Sequence, residues 1–292
     1  MKICKTRRDV KKALHVVREK GQTVGFVPTM GALHEGHLSL VEIAKAKSDV
    51  VVCSIFVNPR QFDDPKDYEA YQINLETDAM LLEQAGVDIL FVPDVETIYP
   101  QGFQTTVEVT QLSAPFEGEK RLGHFRGVTT VVCTLLGIVA PDNAIFGEKD
   151  FQQLRIVERM VSDLGLDVTI VRGPLVRDSN GLALSSRNMR LSDSRRRDAG
   201  NIFRALSEMV AAVHDGERNV EQIRSIGLRR LEAIVEAEVE YLAIVCEESL
   251  EELRELDRLA RILVVVQIDG VRLLDNMPIE LQSPVPSKSL DL

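Results

Sequence analysis

Residues 27–44 read VPTMGALHEGHLSLVEIA, and the fold class is decided by that stretch. An apolar run from Thr23 to Val27 is stopped by Pro28, a glycine-containing turn comes next, and helical spacing runs from about Gly36 to Lys47. Strand, tight turn and helix in that order are the opening unit of an α/β sheet. Outward from it, VVVCSIFV (50–57) is a continuous apolar run bounded by Asp49 and Asn58-Pro59. Such a run reads as a strand buried on both faces, as parallel sheets require. VDILFVP (87–93), NAIFG (143–147) and DVTIVRG (167–173) read as further strands. Helical spacing covers 7–20, 67–85, about 127–140 and 150–164. The alternation predicts a doubly wound parallel sheet.

From about Ser192 the character changes. Two long helical patterns (194–214 and 219–237) precede YLAIV (241–245), RILVVVQI (261–268) and VRLLDNM (271–277). Asp269-Gly270 joins the last two as a hairpin turn. A boundary near 174–186 is expected, dividing the chain into 1–175 and a smaller α+β domain, 176–292. The Pro- and Ser-rich tail from Gln282 reads as frayed.

The chain has 292 residues, with 35 Lys+Arg against 45 Asp+Glu, a net charge of −10. That acidic balance argues against a nucleic-acid partner. No apolar run is long enough to span a bilayer, so no membrane partner is expected. The basic N-terminus lacks an apolar signal core, and a cytoplasmic location is expected. Cys4, Cys53, Cys133 and Cys246 form no CxxC pair; buried, reduced thiols are expected, and no structural metal site.

Five segments carry chemistry. In the first, His34 and His37 stand three residues apart at a helix start, where free N–H groups and a partial positive charge favour an anion. It is neither a Walker loop nor a HExxH zinc helix. The second, FGEKDFQQL (146–154), comes directly after a strand end. Lys149 offers a point charge for phosphate, and Asp150 either orients a hydroxyl or caps a helix. The third, RDSNGLALSSRN (177–188), clusters Ser185, Ser186 and Arg187, three phosphate-type donors. The fourth, SIFVNPRQF (54–62), offers the amides of Asn58 and Gln61. In the fifth, RLGHFRGV (121–128), Arg121, His124 and Arg126 either line a site or are solvated.

Taken together, PTMGALHEGH, FVNPRQF, GHFRGV, FGEKDFQQL, DSNGLALSSRN and the late RLLDN resemble the pantoate–β-alanine ligase family, in its order and spacing from about residue 23 to the end. The resemblance implies a Rossmann-like N-terminal domain, a smaller C-terminal domain and a homodimer. It implies condensation of pantoate with β-alanine, driven by ATP with Mg²⁺, through pantoyl adenylate, releasing AMP and pyrophosphate. On matched positions, ATP falls to Met30, Gly31, Ala32, Leu33, His34, Glu35, Gly36 and His37, then Gly147, Glu148, Lys149 and Asp150, then Val176, Leu184, Ser185, Ser186 and Arg187. His37, His34 and Lys149 would be catalytic. Gln61 and Gln153 would hold pantoate, and Gln61 would also meet β-alanine. The chain departs from the family pattern at Gln72, Ile73, Leu122, Asn180, Arg190 and Cys246. A nucleotidylyltransferase sharing the HxGH chemistry, a class I aminoacyl-tRNA synthetase and a non-catalytic binding protein are the alternatives to this reading.

Overall fold

The computed structural model describes residues 1–63, 65–69, 71 and 73–281. The reading of Gln72 and of the tail from Gln282 lies outside the described residues. The chain forms two compact units, Met1–Asp178 with Ala183–Met189, and Ser179–Leu182 with residues from Arg190 onward.

The first unit is built on six strands: β1 (Lys2–Cys4), β2 (Val24–Thr29), β3 (Val50–Ile55), β4 (Ile89–Phe91), β5 (Asn143–Gly147) and β6 (Thr169–Gly173). Their order is β1-β4-β3-β2-β5-β6, and every pairing is parallel. From β2 the chain steps to β3 and β4 on one side, then returns to place β5 and β6 on the other. The gap between the C-terminal ends of β2 and β5 is therefore the topological switch point, where such sheets bind ligands.

Both faces of the sheet are covered, which is why β3 is apolar at nearly every position. Val27, Val51, Cys53, Ile55, Leu90 and Ile145 point to one side, against Leu40, Val41 and Ala44 of the helix Glu35–Lys47 and Leu82 of the helix Leu75–Gln84. The alternate residues Phe26, Val52 and Ala144 are fully buried on the other side. There the helices His124–Val139 and Phe151–Asp163 meet β2 and β5, and the helix Arg7–Glu19 meets His124–Val139.

The second unit packs the helices Asp193–His214 and Val220–Glu232 on an antiparallel sheet of β7 (Ala237–Cys246), β8 (Ala260–Ile268) and β9 (Val271–Ile279). Its core includes Ile202, Leu206, Met209, Ile223, Ile244, Ile262 and Val264. Asp269 (φ 48°) and Gly270 (φ 73°) make the left-handed pair that the hairpin demands.

Four expectations change. The strand expected to stop at Pro28 runs on through it to Thr29 as β2. The helical pattern 67–85 breaks into Pro65–Glu69 and Leu75–Gln84, because the Asn74 side chain accepts the Thr77 N–H and starts a new helix. The pattern 219–237 stops at Glu232, and Glu236 turns through φ 55° into a strand longer than YLAIV. The Ser-Ser-Arg loop, expected in the C-terminal part, packs with the first unit. Its anchors are a bridge between Arg177 and Ala183 and a bond from Leu184 N–H to the Val176 carbonyl.

All four cysteines are free; Cys4 and Cys53 are buried as expected, but Cys133 and Cys246 are only partly so. Among the described residues no helix is long and apolar enough to cross a membrane.

One close approach fixes the position of the 58–61 turn. A Cβ on Gly127 would stand 2.2 Å from the Arg60 carbonyl oxygen, so the helix His124–Val139 touches that turn backbone to backbone. Gly127→Ala must push them apart, an overpacking cost of about 2 kcal/mol or more. A lowered denaturant midpoint with unchanged m-value is the expected result.

Candidate active site

A cleft of about 260 Å³ opens at the switch point, lined entirely by the first unit. Its floor is Pro28, Thr29, Ile145 and Phe146 from the ends of β2 and β5. One wall is the helix start at His34 and His37. Lys149, Asp150 and Gln153 come after β5, and Leu184 to Arg187 close another side. The helix His124–Val139 contributes Val128, Val131, Val132 and Leu135 as an apolar face.

The two imidazoles cap their own helix. His34 Nδ1 accepts the Gly36 N–H at 3.1 Å, and His37 Nδ1 accepts the His34 N–H at 3.3 Å. A backbone N–H can only donate, so both Nδ1 atoms are acceptors and each neutral ring carries its proton on Nε2. The ring centroids are 4.2 Å apart. Burial, reinforced by Lys149, pushes His34 down to about 4. Burial, then His34 and Lys149, pushes His37 down to about 3. At neutral pH the pair is an uncharged double donor. A Cβ on Gly36 would lie 2.9 Å from His34 Cε1, so the cap geometry excludes a side chain there.

Beside them lie the charges. Lys149 Nζ is 3.5 Å from Asp150 Oδ1. The Asp150 side chain is half exposed to the cleft; the packing around it would raise its carboxyl, but Lys149 and Arg187 outweigh that and hold it below the usual carboxylate range. Asp150 begins its helix without making a side-chain cap, so the structure does not bear out the capping alternative. Arg187 Nη2 lies 3.7 Å from Asp67, and its backbone N–H donates to Ser185 Oγ. Ser186 shares a hydrogen bond with Tyr71, whose phenol is pushed up by burial.

The amides are oriented by their partners. Asn58 Oδ1 accepts from Arg60 N–H and from the Tyr99 hydroxyl, and its Nδ2 donates to the Gly127 carbonyl and to Gln61 Oε1. The Gln61 NH₂ is thereby turned toward Met30 Sδ, 3.1 Å away, on the cleft wall. Arg121 donates to His124 Nε2, so Nδ1 carries the proton and donates to the Gln61 carbonyl at 2.7 Å. Burial and Arg121 push His124 down to about 4. The next glutamines diverge: Gln152 is buried and spent on the Leu112 and Pro115 carbonyls, while Gln153 faces the cleft.

Of the residues expected at the site, Met30, His34, Gly36, His37, Gln61, Gly147, Lys149, Asp150, Gln153, Val176, Leu184, Ser185, Ser186 and Arg187 line this cleft. Gly31, Ala32, Leu33, Glu35 and Glu148 do not; the first three form the turn behind it, and Glu35 is exposed on the first helical turn. Arg121 and His124 join the lining, whereas Arg126 is exposed outside it. Sequence reading missed Tyr71, the apolar helix face, Tyr99 and Asp78. Asp78 had a signal: a charge four residues before the buried Leu82 lies on the apolar stripe of its helix. At the departures, Leu122 is 81% exposed, Ile73 packs against Gly31, and Asn180 Oδ1 accepts the Leu182 N–H.

The imidazoles of His34, His37 and His124 have folded pKa values below an unfolded value near 6.5, so the unfolded chain takes up protons first as pH falls. Stability is therefore expected to be full above about pH 6.5 and to decline steadily toward pH 4. In ¹⁵N-histidine NMR, His34 and His37 should stay neutral with Nε2–H at about pH 5.5, and His124 neutral with Nδ1–H.

The family model described as Pantoate-beta-alanine ligase matches residues 2–278. The pantothenate synthetase of Thermotoga petrophila is 46% identical over 276 residues, covering 94% of this chain and 99% of that one. The crystal structure of pantothenate synthetase from Thermus thermophilus superposes with a TM-score of 0.91 at 46% identity, covering 96% of this chain and 99% of that one. The Francisella tularensis pantoate-beta-alanine ligase, complexed with beta-gamma ATP and beta-alanine, gives 0.78 at 35% identity, covering 97% and 99%. A match over nearly the whole chain, with the fold and the HxGH, GEKD and SSRN segments in place, makes this chain a member of the pantoate–β-alanine ligase family, ligases of pantothenate biosynthesis.

Proposed function

We propose that this cleft joins pantoate to β-alanine in two steps, the first of which consumes ATP. The observation that carries the reading is that one cleft is lined by two neutral Nε2–H imidazoles, Lys149, Ser185, Ser186 and Arg187, and also by the oriented amide of Gln61 and an apolar helix face. The first group suits a triphosphate and the second a small branched hydroxy acid.

In the first step a pantoate carboxylate oxygen attacks the α-phosphorus of ATP in line, and the bond to pyrophosphate breaks. His34 and His37 donate to phosphate oxygens through Nε2–H, and Lys149 with Arg187 balances the charge gathering on the leaving pyrophosphate. In the second step the β-alanine amine attacks the activated carbonyl, AMP leaves, and the amine loses a proton. Gln61 and Gln153 hold pantoate, with Gln61 also near β-alanine. Val128, Val131 and Leu135 pack on the carbon skeleton. The chain then acts chiefly by positioning and electrostatics, as adenylate chemistry requires.

Mg²⁺ belongs to this reading as a companion of ATP. Among the described residues no three His, Cys, Asp or Glu side chains gather to cage a metal, and Asp150 is the one carboxylate lining the cleft. That fits Mg²⁺, which takes one or two carboxylates and fills its remaining positions with phosphate oxygens and water. Asp150 would hold it, and the ion would add positive charge at the phosphates. A homodimer in the cytoplasm completes the proposal.

The test is pantoate-dependent exchange of labelled pyrophosphate into ATP without β-alanine, then release of AMP and pantothenate when β-alanine is added. Absence of exchange from folded, ATP-binding protein overturns the reading. His37→Ala and Lys149→Ala should each lower kcat at least tenfold, on the order of 1.4 kcal/mol; near-wild-type rates in either would remove those residues from the mechanism.

A further inference from the structure

Asp78 lies outside the cleft lining, on the helix Leu75–Gln84, and is 3% exposed. A buried carboxylate is costly unless its oxygens are satisfied. Here both are. Ala32 N–H donates to Oδ2 and Leu33 N–H to Oδ1, each at 2.9 Å, so the carboxylate grips two consecutive peptides. Those peptides belong to the turn that links β2 to the His34 cap.

That turn is in an uncommon conformation. Gly31 has φ 85°, and Ala32, which carries a Cβ, has φ 52°. A non-glycine residue holds a left-handed conformation only where its surroundings over-determine it. Thr29 Oγ1 accepts the Gly31 N–H at 3.2 Å from one side, and Asp78 takes the next two from the other. Against Gly31 there is no slack: a Cβ there would meet Ile73 Cγ2 at 2.8 Å and Asp78 Oδ2 at 3.0 Å. Two residues after the strained Ala32 comes His34, whose own N–H must reach His37 Nδ1 for the imidazole pair to form.

We infer that Asp78 is a positioning residue for the ATP-binding wall: by holding the Ala32 and Leu33 N–H groups it keeps the strained turn in place and sets where His34 and His37 present Nε2–H. The role rests on the proposed ATP reading of the cleft. It makes a further distinction within the site, because Asn58, which orients Gln61 on the acid side, is held by Arg60, Tyr99 and Gly127, and only the Gln61 contact to Met30 Sδ touches the turn. Loss of Asp78 should therefore damage the phosphate subsite far more than the acid subsite, whose main anchor is Asn58.

Two measurements test this. In the ligand-free wild type, amide hydrogen exchange should find Ala32 and Leu33 protected although they lie in a turn; exchange as fast as in an open loop overturns the inference, and no variant is needed to see it. In Asp78→Asn, one carboxylate oxygen becomes an NH₂ facing an N–H. Protection at Ala32 and Leu33 should fall at least tenfold while Phe26 and Val27 in β2 keep theirs. Calorimetry should give a Kd for Mg·ATP at least tenfold weaker and a Kd for pantoate within twofold. Adding Ala32→Gly, which removes the steric penalty at positive φ, should recover at least threefold of the lost ATP affinity. A purely structural role would lower the melting temperature without that split or that recovery, and an ATP Kd within twofold of wild type overturns the inference. Failure of the ligase reading looks different: ATP binding and its dependence on Asp78 persist, but pantoate drives no pyrophosphate exchange.

Discussion

The reciprocal cap between His34 and His37 is the constraint on which the rest of the site depends. Helices are usually capped by Ser, Thr, Asp or Asn, whose short side chains satisfy the first free N–H groups. Here imidazoles do that work, with Nδ1 of each ring accepting a backbone N–H. Capping consumes the acceptor nitrogen and leaves the donor nitrogen for the cleft. One local interaction therefore starts the helix, fixes two tautomers and keeps both rings uncharged in the folded state. The consequence is acid sensitivity, since both rings are protonated when the chain unfolds in acid.

The cap works only at the place the sheet gives it. Parallel pairing in the order β1-β4-β3-β2-β5-β6 sets the loops after β2 and β5 side by side at one edge. The first loop brings neutral donors and the second brings Lys149. Across the cleft, the 184–187 loop is held to the same unit by the Leu184–Val176 bond and the Arg177–Ala183 bridge. Cations from one loop and hydroxyls from another thus converge on donors that carry no charge themselves. Three cationic groups at such spacing would repel; two neutral imidazoles beside a lysine do not.

Much of this was legible in the sequence because it is local. Continuous apolar runs marked β3 and β5, and the turn residues Asp269 and Gly270 marked the hairpin. His34, His37, Lys149, Ser185 and Arg187 stood in short segments whose chemistry could be named residue by residue. What escaped was non-local. Asp78 is 46 positions from Ala32, and only the packing of its helix against β2 and β3 brings it beneath the turn. Tyr99 reaches Asn58 across 41 positions. No periodicity encodes either contact. The loop boundary was misplaced for the same reason, since bridging at Arg177 and Ala183 overrides sequence proximity to the second unit.

The charge distribution gives the last step. The chain carries a net −10, yet its cleft gathers Lys149, Arg121 and Arg187. Each has a carboxylate neighbour on the same unit: Asp150 for Lys149, Asp63 for Arg121, Asp67 for Arg187. These neighbours satisfy the cations without phosphate, so the cleft does not carry an unbalanced cluster before substrate arrives. Such contacts are long, 3.3 to 3.7 Å, and at least a third of each acidic side chain is exposed. Each therefore holds its cation weakly. In the proposed ATP reading, a polyphosphate would offer a denser array of oxygens at shorter range, and the exchange of one partner for the other would favour the ligand. In that reading the acidic surface serves a basic site: it supplies counter-ions that position the cations in advance and would give way to phosphate.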